Sequence, residues 1–327
     1  MRTIRYLKKS RRKSKWRFLT IGLLALLMGD LAALGITFLY HPSPQQQLLV
    51  QNQNLVAVKG ANISPPAHDI VTSSLELGRI IEYALSDTSG DYGISLKNLK
   101  TNEHYTREGH KKFDTASLYK LWVMATVYDQ INKGTLDESD VLSQDVGVLN
   151  SKFNIATESA ELTEGTITFT VADALEAMIT KSDNYAALLL SERVRLASVA
   201  SFLKGNGFSE SSVGTTGGAP MSTPHDISLF FEKLYNGELV NPAYAEKMLV
   251  LLKAQQVNHK IPKYLSDAVV IAHKTGELDG FTHDAGIVYT DTGDYVLVIL
   301  SKSNDPRAAE EVLARTSESI YTYFISQ

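Results

Sequence analysis

The stretch SLYKLWVMATVYDQIN, residues 117–132, is apolar on nearly every side of a helix and begins with a serine three residues before a lysine. A helix that is apolar all round lies in a core, so the stretch predicts a central helix. At this spacing Ser117 and Lys120 lie on one face of that helix. The Ser117 hydroxyl then lies near the positive end of the helix, and the Lys120 side chain is partly buried.

Burial can lower the pKa of a lysine by as much as about 3 to 5 units, which makes Lys120 a candidate base for the Ser117 hydroxyl. A Ser-x-x-Lys string is weak evidence by itself, because residues 10–13 and 201–204 match it equally well. The alternative is that Lys120 extends to solvent and Ser117 only begins a helix. Other parts of the sequence have to decide between the two interpretations.

Two more short strings follow along the chain, namely Ser182-Asp183-Asn184 and Lys274-Thr275-Gly276. The first stands between a helical pattern and an apolar run, so it predicts a tight loop between helices that can point side chains into a cleft. Serine, aspartate and asparagine are also common at helix caps and in turns, so the string could serve only that purpose. The second ends a strand candidate at residues 268–274 and is equally unremarkable alone.

In their order and separations, the three strings resemble those of the penicillin-recognising serine enzymes, in particular the class A β-lactamase family. The likeness extends from about Leu75 to Phe324. It implies an α/β (α+β) fold, in which an antiparallel sheet is flanked by N- and C-terminal helices and a helical lobe occupies about residues 134–237. It implies no cofactor.

The resemblance also implies a covalent mechanism on an amide bond. Ser117 would be the acylated nucleophile, Lys120 its base, and Ser182 the proton shuttle to the leaving nitrogen. The simplest substrate is a β-lactam. The alternatives are a peptidoglycan D,D-peptidase that acts on D-alanyl peptides, and a binding or sensor domain that is acylated once without turnover.

The same resemblance implies the residues that would hold the substrate. Asn184 would contact a substrate amide, while Lys274 and Thr275 would hold its carboxylate. The oxyanion hole would consist of the backbone N–H groups of the nucleophile and of Glu277, and Gly276 before it would permit a close approach.

Two departures from the family pattern stand out. Class A enzymes carry a deacylating glutamate in a Glu-x-x-x-Asn context, whereas the corresponding residues 207–223 contain one carboxylate, Glu210, without that context. The sequence therefore does not support fast deacylation, and we expect Glu210 to be a surface loop residue, with a deacylating role as the alternative. The usual arginine after the third string is also missing, and residues 282–284 stand in its place. There His283 is either a substitute cation or a structural residue.

Composition excludes several kinds of chemistry. The 327 residues include no cysteine, so disulfides and thiolate nucleophiles are excluded. The histidines show no His-x-His or His-Glu-x-x-His pair, so we expect no metal site. No phosphate loop or dinucleotide fingerprint appears in the chain.

The N-terminal end predicts export. Residues 1–17 carry nine Lys or Arg and no acid, and residues 18–40 carry one charge, Asp30. We interpret them as a cytoplasmic arm and a single-pass anchor that leaves the rest of the chain extracytoplasmic, with no nucleic-acid partner. Because of Asp30, the alternative is a cleavable signal peptide and secretion. The polar residues 41–74 predict a linker, and residues 75–327 the catalytic domain.

The rest of the pattern predicts a sheet that returns at the end of the chain. Two further strands are expected at residues 285–290 and 295–301, joined by a turn at residues 291–294. Asp305 and Pro306 then predict the start of a final helix.

Overall fold

The structure, a computed structural model, describes residues 67–86, 88–215 and 218–327. The predicted basic arm, membrane span and most of the linker lie outside these residues. Within the described part, no helix is long and apolar enough to cross a membrane. The first helix begins at Ala67, earlier than the domain start predicted at residue 75.

An antiparallel sheet of five strands forms the middle layer. Its strands are β1 (Asp91–Asn98), β2 (His104–Arg107), β7 (Ile271–Leu278), β8 (Phe281–Val288) and β9 (Tyr295–Lys302). They lie in the order β2-β1-β9-β8-β7. Two short ladders pair β3 (Phe113–Asp114) with β6 (Met221–Ser222) and β4 (Val141–Asp145) with β5 (Thr166–Thr170). The predicted α+β fold is confirmed for the described residues.

The helices cover both faces of the sheet. They are α1 (Ala67–Leu85), α2 (Lys120–Asn132), α3 (Val146–Lys152), α4 (Val171–Thr180), α5 (Asn184–Val194), α6 (Leu196–Gly205), α7 (Pro224–Tyr235), α8 (Pro242–Lys253) and α9 (Pro306–Ile325). Because strand side chains alternate, β9 serves two cores. Leu297 and Ile299 face the core that contains α1 and α9, whereas Val296 and Val298 face the core around α2.

Helix α2 is the centre of the larger core, as its all-round apolar pattern predicts. Its first nine residues, from Lys120 to Tyr128, are all buried. The predicted start needs one correction, because Ser117 lies in a single 3-10 turn, Ala116–Tyr119, that precedes the α-helix. The segment 134–237 contains helices α3 to α7, but it also contains the β4–β5 hairpin.

Strand β7 differs from its prediction in a way that matters for the site. The pattern places Lys274, Thr275 and Gly276 at the end of a strand, whereas the structure places them inside it. The apolar run ends at Ala272, but pairing with β8 continues as far as Leu278 and Phe281. The predicted helix start after β9 is confirmed, since the Asp305 carboxylate accepts hydrogen bonds from two backbone N–H groups of α9.

Candidate active site

The turn that carries Ser117 has an unusual backbone. Ala116 adopts a positive φ of 44°, and its N–H donates to Asp114 Oδ1 at 2.9 Å. The Leu118 N–H closes the turn on the Thr115 carbonyl at 2.9 Å. The Ser117 side chain is partly exposed, and its hydroxyl has no hydrogen-bond partner among the described residues. The turn therefore presents a free hydroxyl on a backbone that carries local strain.

Lys120 is fully buried and contacts three oxygens. Its Nζ donates to the Ser182 carbonyl at 2.8 Å, to Asn184 Oδ1 at 2.7 Å and to Ser182 Oγ at 3.2 Å. Burial lowers the pKa of Lys120 to about 8, and the carboxylates of Asp183 and Glu161 oppose this effect. The side chain does not extend to solvent, so the alternative interpretation of Lys120 is wrong.

Ser182 reaches the site because α4 and α5 are joined by a very short loop. Helix α4 ends at Thr180, and α5 begins at Asn184 with Asp183 as its N-cap. Asp183 accepts from the Ala186 N–H at 2.8 Å. Ser182 itself has a positive φ of 57°, which turns the chain sharply. The predicted inter-helix loop is confirmed, and its aspartate acts as a cap.

Lys274 approaches the same serine from the sheet. It is fully buried, and its Nζ donates to Ser182 Oγ at 2.9 Å and to the Thr275 carbonyl at 2.8 Å. Burial lowers the pKa of Lys274 well below its ordinary value, and the nearby Lys120 lowers it further. Residues from three separate elements thus meet at one hydroxyl oxygen.

Gly276 lets β7 pack directly against the nucleophile turn. A Cβ at this position would lie 2.9 Å from the Thr115 carbonyl oxygen, 3.2 Å from His283 Cδ2 and 3.3 Å from Leu118 Cγ. Because β7 is an edge strand, its unpaired side faces this turn. Any side chain at position 276 would push the strand away from the turn that carries Ser117.

The contacts of Lys120 decide what its nitrogen can do. The Ser182 carbonyl and Asn184 Oδ1 can only accept, so they fix two of its hydrogens. In the ammonium form the third hydrogen points to Ser182 Oγ. In the neutral amine a lone pair takes that place. Lys120 is therefore oriented to take up a proton inside the site, where its pKa makes both forms available near neutral pH.

The contacts of Ser182 Oγ decide where its hydroxyl can donate its hydrogen. When both lysines are charged, its Oγ accepts from Lys120 and from Lys274. A hydroxyl has two acceptor lone pairs and one hydrogen, so both lone pairs are then occupied. The remaining O–H has to point away from the lysines. This arrangement can pass a proton from a lysine to an atom bound in the cleft.

Glu277 belongs to a charged group beside the site that the sequence did not indicate. Its Oε1 accepts from the Nζ of the fully buried Lys260 at 2.6 Å and faces His259 Nε2 at 3.1 Å. His259, Glu277 and Glu310 also bring three donor atoms within 4.8 Å of one another, so they could hold a metal ion. Among the described residues, the Lys260 ammonium makes one hydrogen bond, and Glu277 accepts it. A metal bound to Glu277 would compete for this contact and leave a buried charge without its partner, which is unfavourable.

Asn184 has a second charged neighbour that sequence reasoning missed. Its Nδ2 donates to Glu161 Oε1 at 2.5 Å, while its Oδ1 accepts from Lys120. Glu161 lies on the surface in the loop between α3 and β5. Nothing in the local sequence separates it from the neighbouring surface glutamates, so its contact with the site has no signal in the pattern.

The two residues that the sequence left open have structural contacts. His283 is fully buried, donates from Nε2 to the Asp114 carbonyl at 2.7 Å and accepts the Ser301 N–H on Nδ1 at 3.0 Å. Burial lowers the pKa of His283 to about 4, so it is neutral and is not a substitute cation. Glu210 accepts from Thr223 Oγ1 at 2.7 Å and contacts His110, away from the three strings.

The model of the beta-lactamase enzyme family matches residues 76–324. The chain belongs to this family. Its members are serine hydrolases that act on amide bonds, so the chain is one too. A search of curated protein sequences finds no match.

Solved structures support the same fold. A β-lactamase from Sphaerobacter thermophilus superposes with a TM-score of 0.67 at 22% identity, covering 77% of this chain and 97% of that one. PBP-A gives the same values. A PBP-A mutant in an acyl-enzyme complex with penicillin G has a TM-score of 0.66 at 21% identity, covering 80% of this chain and 98% of its own. At these identities the likeness shows the fold alone.

Proposed function

We propose that this β-lactamase-family protein opens β-lactam amides through an acyl-enzyme on Ser117, with Lys120 as the base. The observation that carries the proposal is the convergence of two buried lysines on Ser182 Oγ, at 3.2 Å for Lys120 and 2.9 Å for Lys274. Burying two ammonium groups at one oxygen is unfavourable unless a reaction or an anion uses them.

Acylation then needs three proton transfers. The Lys120 amine takes the proton of the Ser117 hydroxyl, whose oxygen attacks the amide carbonyl carbon. The C–N bond breaks, and the nitrogen takes a proton from Ser182 O–H. Lys120 returns its proton to Ser182. Serine becomes an ester, the lactam becomes an amine, and no proton is left over.

Lys274 and Thr275 would bind the carboxylate of the substrate. A carboxylate beside Lys274 favours the charged lysine, which burial disfavours in the free enzyme. The same anion offsets the repulsion between Lys120 and Lys274. We propose the backbone N–H groups of Ser117 and Glu277 as the oxyanion donors, because the Gly276 position brings β7 against the nucleophile turn.

Slow deacylation is part of the proposal. Glu210 is held by Thr223 and His110 and does not contact the motif residues. Among the described residues outside the three strings, Glu161 is the only one whose carboxylate forms a hydrogen bond with a residue of those strings, namely Asn184. The nearby Asp284 binds His273 and the Ile261 N–H instead, and Glu310 faces His259. In the described part of the chain, no carboxylate forms a hydrogen bond with Ser117 or Lys120, so none takes the position that we would expect of a water-activating base.

A D,D-peptidase is the second candidate, and slow deacylation favours it. Such an enzyme would use the same nucleophile and lysines on a D-alanyl peptide, whose terminal carboxylate suits Lys274.

We further propose export and a single-pass anchor at residues 18–40, with the arm at residues 1–17 in the cytoplasm and the catalytic domain at residues 75–327 outside. The support for this part is the sequence alone.

Labelling with a fluorescent penicillin tests the proposal. The full-length chain is expected to become covalently labelled, and peptide mapping is expected to place the label on Ser117. Ser117→Ala is expected to remain unlabelled at an unchanged melting temperature. Labelling of the Ser117→Ala variant would show that the nucleophile is assigned wrongly. Release of D-alanine from a D-alanyl-D-alanine peptide separates the peptidase from the β-lactamase.

A further inference from the structure

Glu161 is held at the edge of the candidate site by a fixed piece of backbone. Both backbone groups of the next residue, Leu162, are bound by buried side chains. The Leu162 N–H donates to the Tyr185 hydroxyl at 3.1 Å, and its carbonyl accepts from Asn150 Nδ2 at 2.9 Å. The loop therefore presents the Glu161 carboxylate from a defined position, next to Asn184.

The contacts of Asn184 fix the direction of its amide. Lys120 can only donate and the Glu161 carboxylate can only accept, so Oδ1 faces Lys120 and Nδ2 faces Glu161. An amide nitrogen carries two hydrogens. One is bound by Glu161, and the other is available to a substrate carbonyl.

This geometry brings Glu161 close to one atom of a bound substrate. Two acceptors on the two hydrogens of one amide nitrogen lie about 5 Å apart. If a substrate carbonyl binds the free hydrogen of Asn184, a substituent on the carbon next to that carbonyl lies within reach of the Glu161 carboxylate. An ammonium group there would be attracted and a carboxylate repelled.

Apart from opposing the lowered pKa of Lys120 through space, the Glu161 carboxylate has no charged partner in the described chain. Its side chain is exposed, and no lysine, arginine or histidine of the described residues forms an ion pair with it. Lys274, which contacts Ser182, supplies the opposite charge when a substrate carboxylate binds beside it. A bound substrate would therefore meet a cation at Lys274 and an anion at Glu161.

We propose that Glu161 is a specificity residue that selects acyl groups with an ammonium group on the carbon next to the amide carbonyl. The substrate class is then zwitterionic, with a carboxylate on the leaving side and an amine on the acyl side. Amine-bearing β-lactams and aminoacyl peptides have this pattern. The inference rests on the proposed acylation of Ser117 and adds to it the charge of the preferred substrate.

Three penicillins that differ at this one carbon test the inference. Ampicillin carries an ammonium group there, penicillin G a hydrogen and carbenicillin a carboxylate. Second-order acylation rate constants of the full-length chain are measured with each at pH 7 and low salt. An exposed charge at this distance is expected to favour ampicillin over penicillin G by about fivefold and to disfavour carbenicillin to a similar degree.

Glu161→Gln keeps an acceptor for Asn184 and removes only the charge. We expect this variant to acylate with the three penicillins at nearly equal rates, and 0.5 M salt to reduce the preference of the wild type in the same direction. The matched control is Glu164→Gln, because Glu164 is exposed in the same loop and has no hydrogen bond in the described structure. This control is expected to keep the preference.

The outcomes separate this inference from the proposed function. Acylation by all three penicillins with no preference, or a preference that Glu161→Gln leaves unchanged, would overturn the inference and leave the Ser117 acyl-enzyme intact. A Glu161→Gln variant that only slows loss of the adduct would also overturn it, in favour of a deacylation role. Failure of the wild type to acylate with any penicillin would overturn both.

Discussion

The dependence of acylation on pH is the most direct consequence of the burial of Lys120. If the neutral amine is the base, the acylation rate constant follows the fraction of Lys120 that is deprotonated. Burial lowers the pKa of this lysine from 10.5 to about 8, because desolvation disfavours the charged form. The rate is therefore expected to rise with pH and to level off above 8.

The size of the effect follows from the titration. With a pKa of about 8, roughly 1% of Lys120 is neutral at pH 6 and about half at pH 8, so the rate rises about 50-fold. From pH 8 to 9.5 the rise is only about twofold. An unperturbed lysine would instead give roughly a 30-fold rise over that second interval. The interval above pH 8 therefore discriminates between a buried and an ordinary lysine.

Rapid-mixing measurements with penicillin G, corrected at each pH for spontaneous hydrolysis of the antibiotic, give the profile. Lys120→Arg keeps a cation but cannot lose its proton in this range, so we expect it to acylate at none of these pH values. A wild-type rate that keeps rising tenfold per pH unit up to pH 9.5 would refute the lowered pKa. A rate independent of pH would refute Lys120 as the base.

Four further variants, two in the site and two outside it for comparison, test the packing and proton transfer around Ser117. Gly276→Ala places a Cβ 2.9 Å from the Thr115 carbonyl oxygen, and we expect it to destabilise the fold by about 1–3 kcal/mol in urea unfolding and to slow acylation. Gly205→Ala, whose Cβ would meet nothing within 4 Å, is the control and is expected to do neither. Ser182→Ala removes the oxygen that both lysines share, and stopped-flow acylation is expected to fall by about 100-fold or more. Ser201→Ala, in the Ser-x-x-Lys string at residues 201–204, is expected to acylate like the wild type, and a loss of rate there would contradict the choice of Ser117.

The parts of the fold that could be predicted are those with a local signal. Helix α2 is apolar on all sides because it is surrounded by core, and nine buried residues in succession follow from that. Asp305 and Pro306 mark the start of α9 through the chemistry of a helix N-terminus. Strand β9 is a continuous apolar run because each of its two faces is buried in a different core. In each case the cause lies within a few residues of the effect.

The parts that could not be predicted depend on contacts between distant residues. Glu161 and Asn184 are 23 positions apart, and Lys120 and Asn184 are 64 apart. Lys260 is buried, and Glu277 from β7 accepts a hydrogen bond from its ammonium group. The positive φ of Ala116 had no signal either, since alanine has no preference for that conformation. The three strings indicated which residues meet, but not the charged groups that surround them.

Intact-mass spectrometry over time, after mixing the full-length chain with excess penicillin G, tests the Ser117 acyl-enzyme most directly. We expect a mass increase of one whole penicillin molecule per chain, which is absent in Ser117→Ala and which persists because no carboxylate of the described residues forms a hydrogen bond with Ser117 or Lys120. An adduct that disappears while the hydrolysed antibiotic accumulates would keep the acyl-enzyme and contradict slow deacylation. No adduct and no hydrolysed product in the wild type, or an adduct in Ser117→Ala, would contradict the central claim.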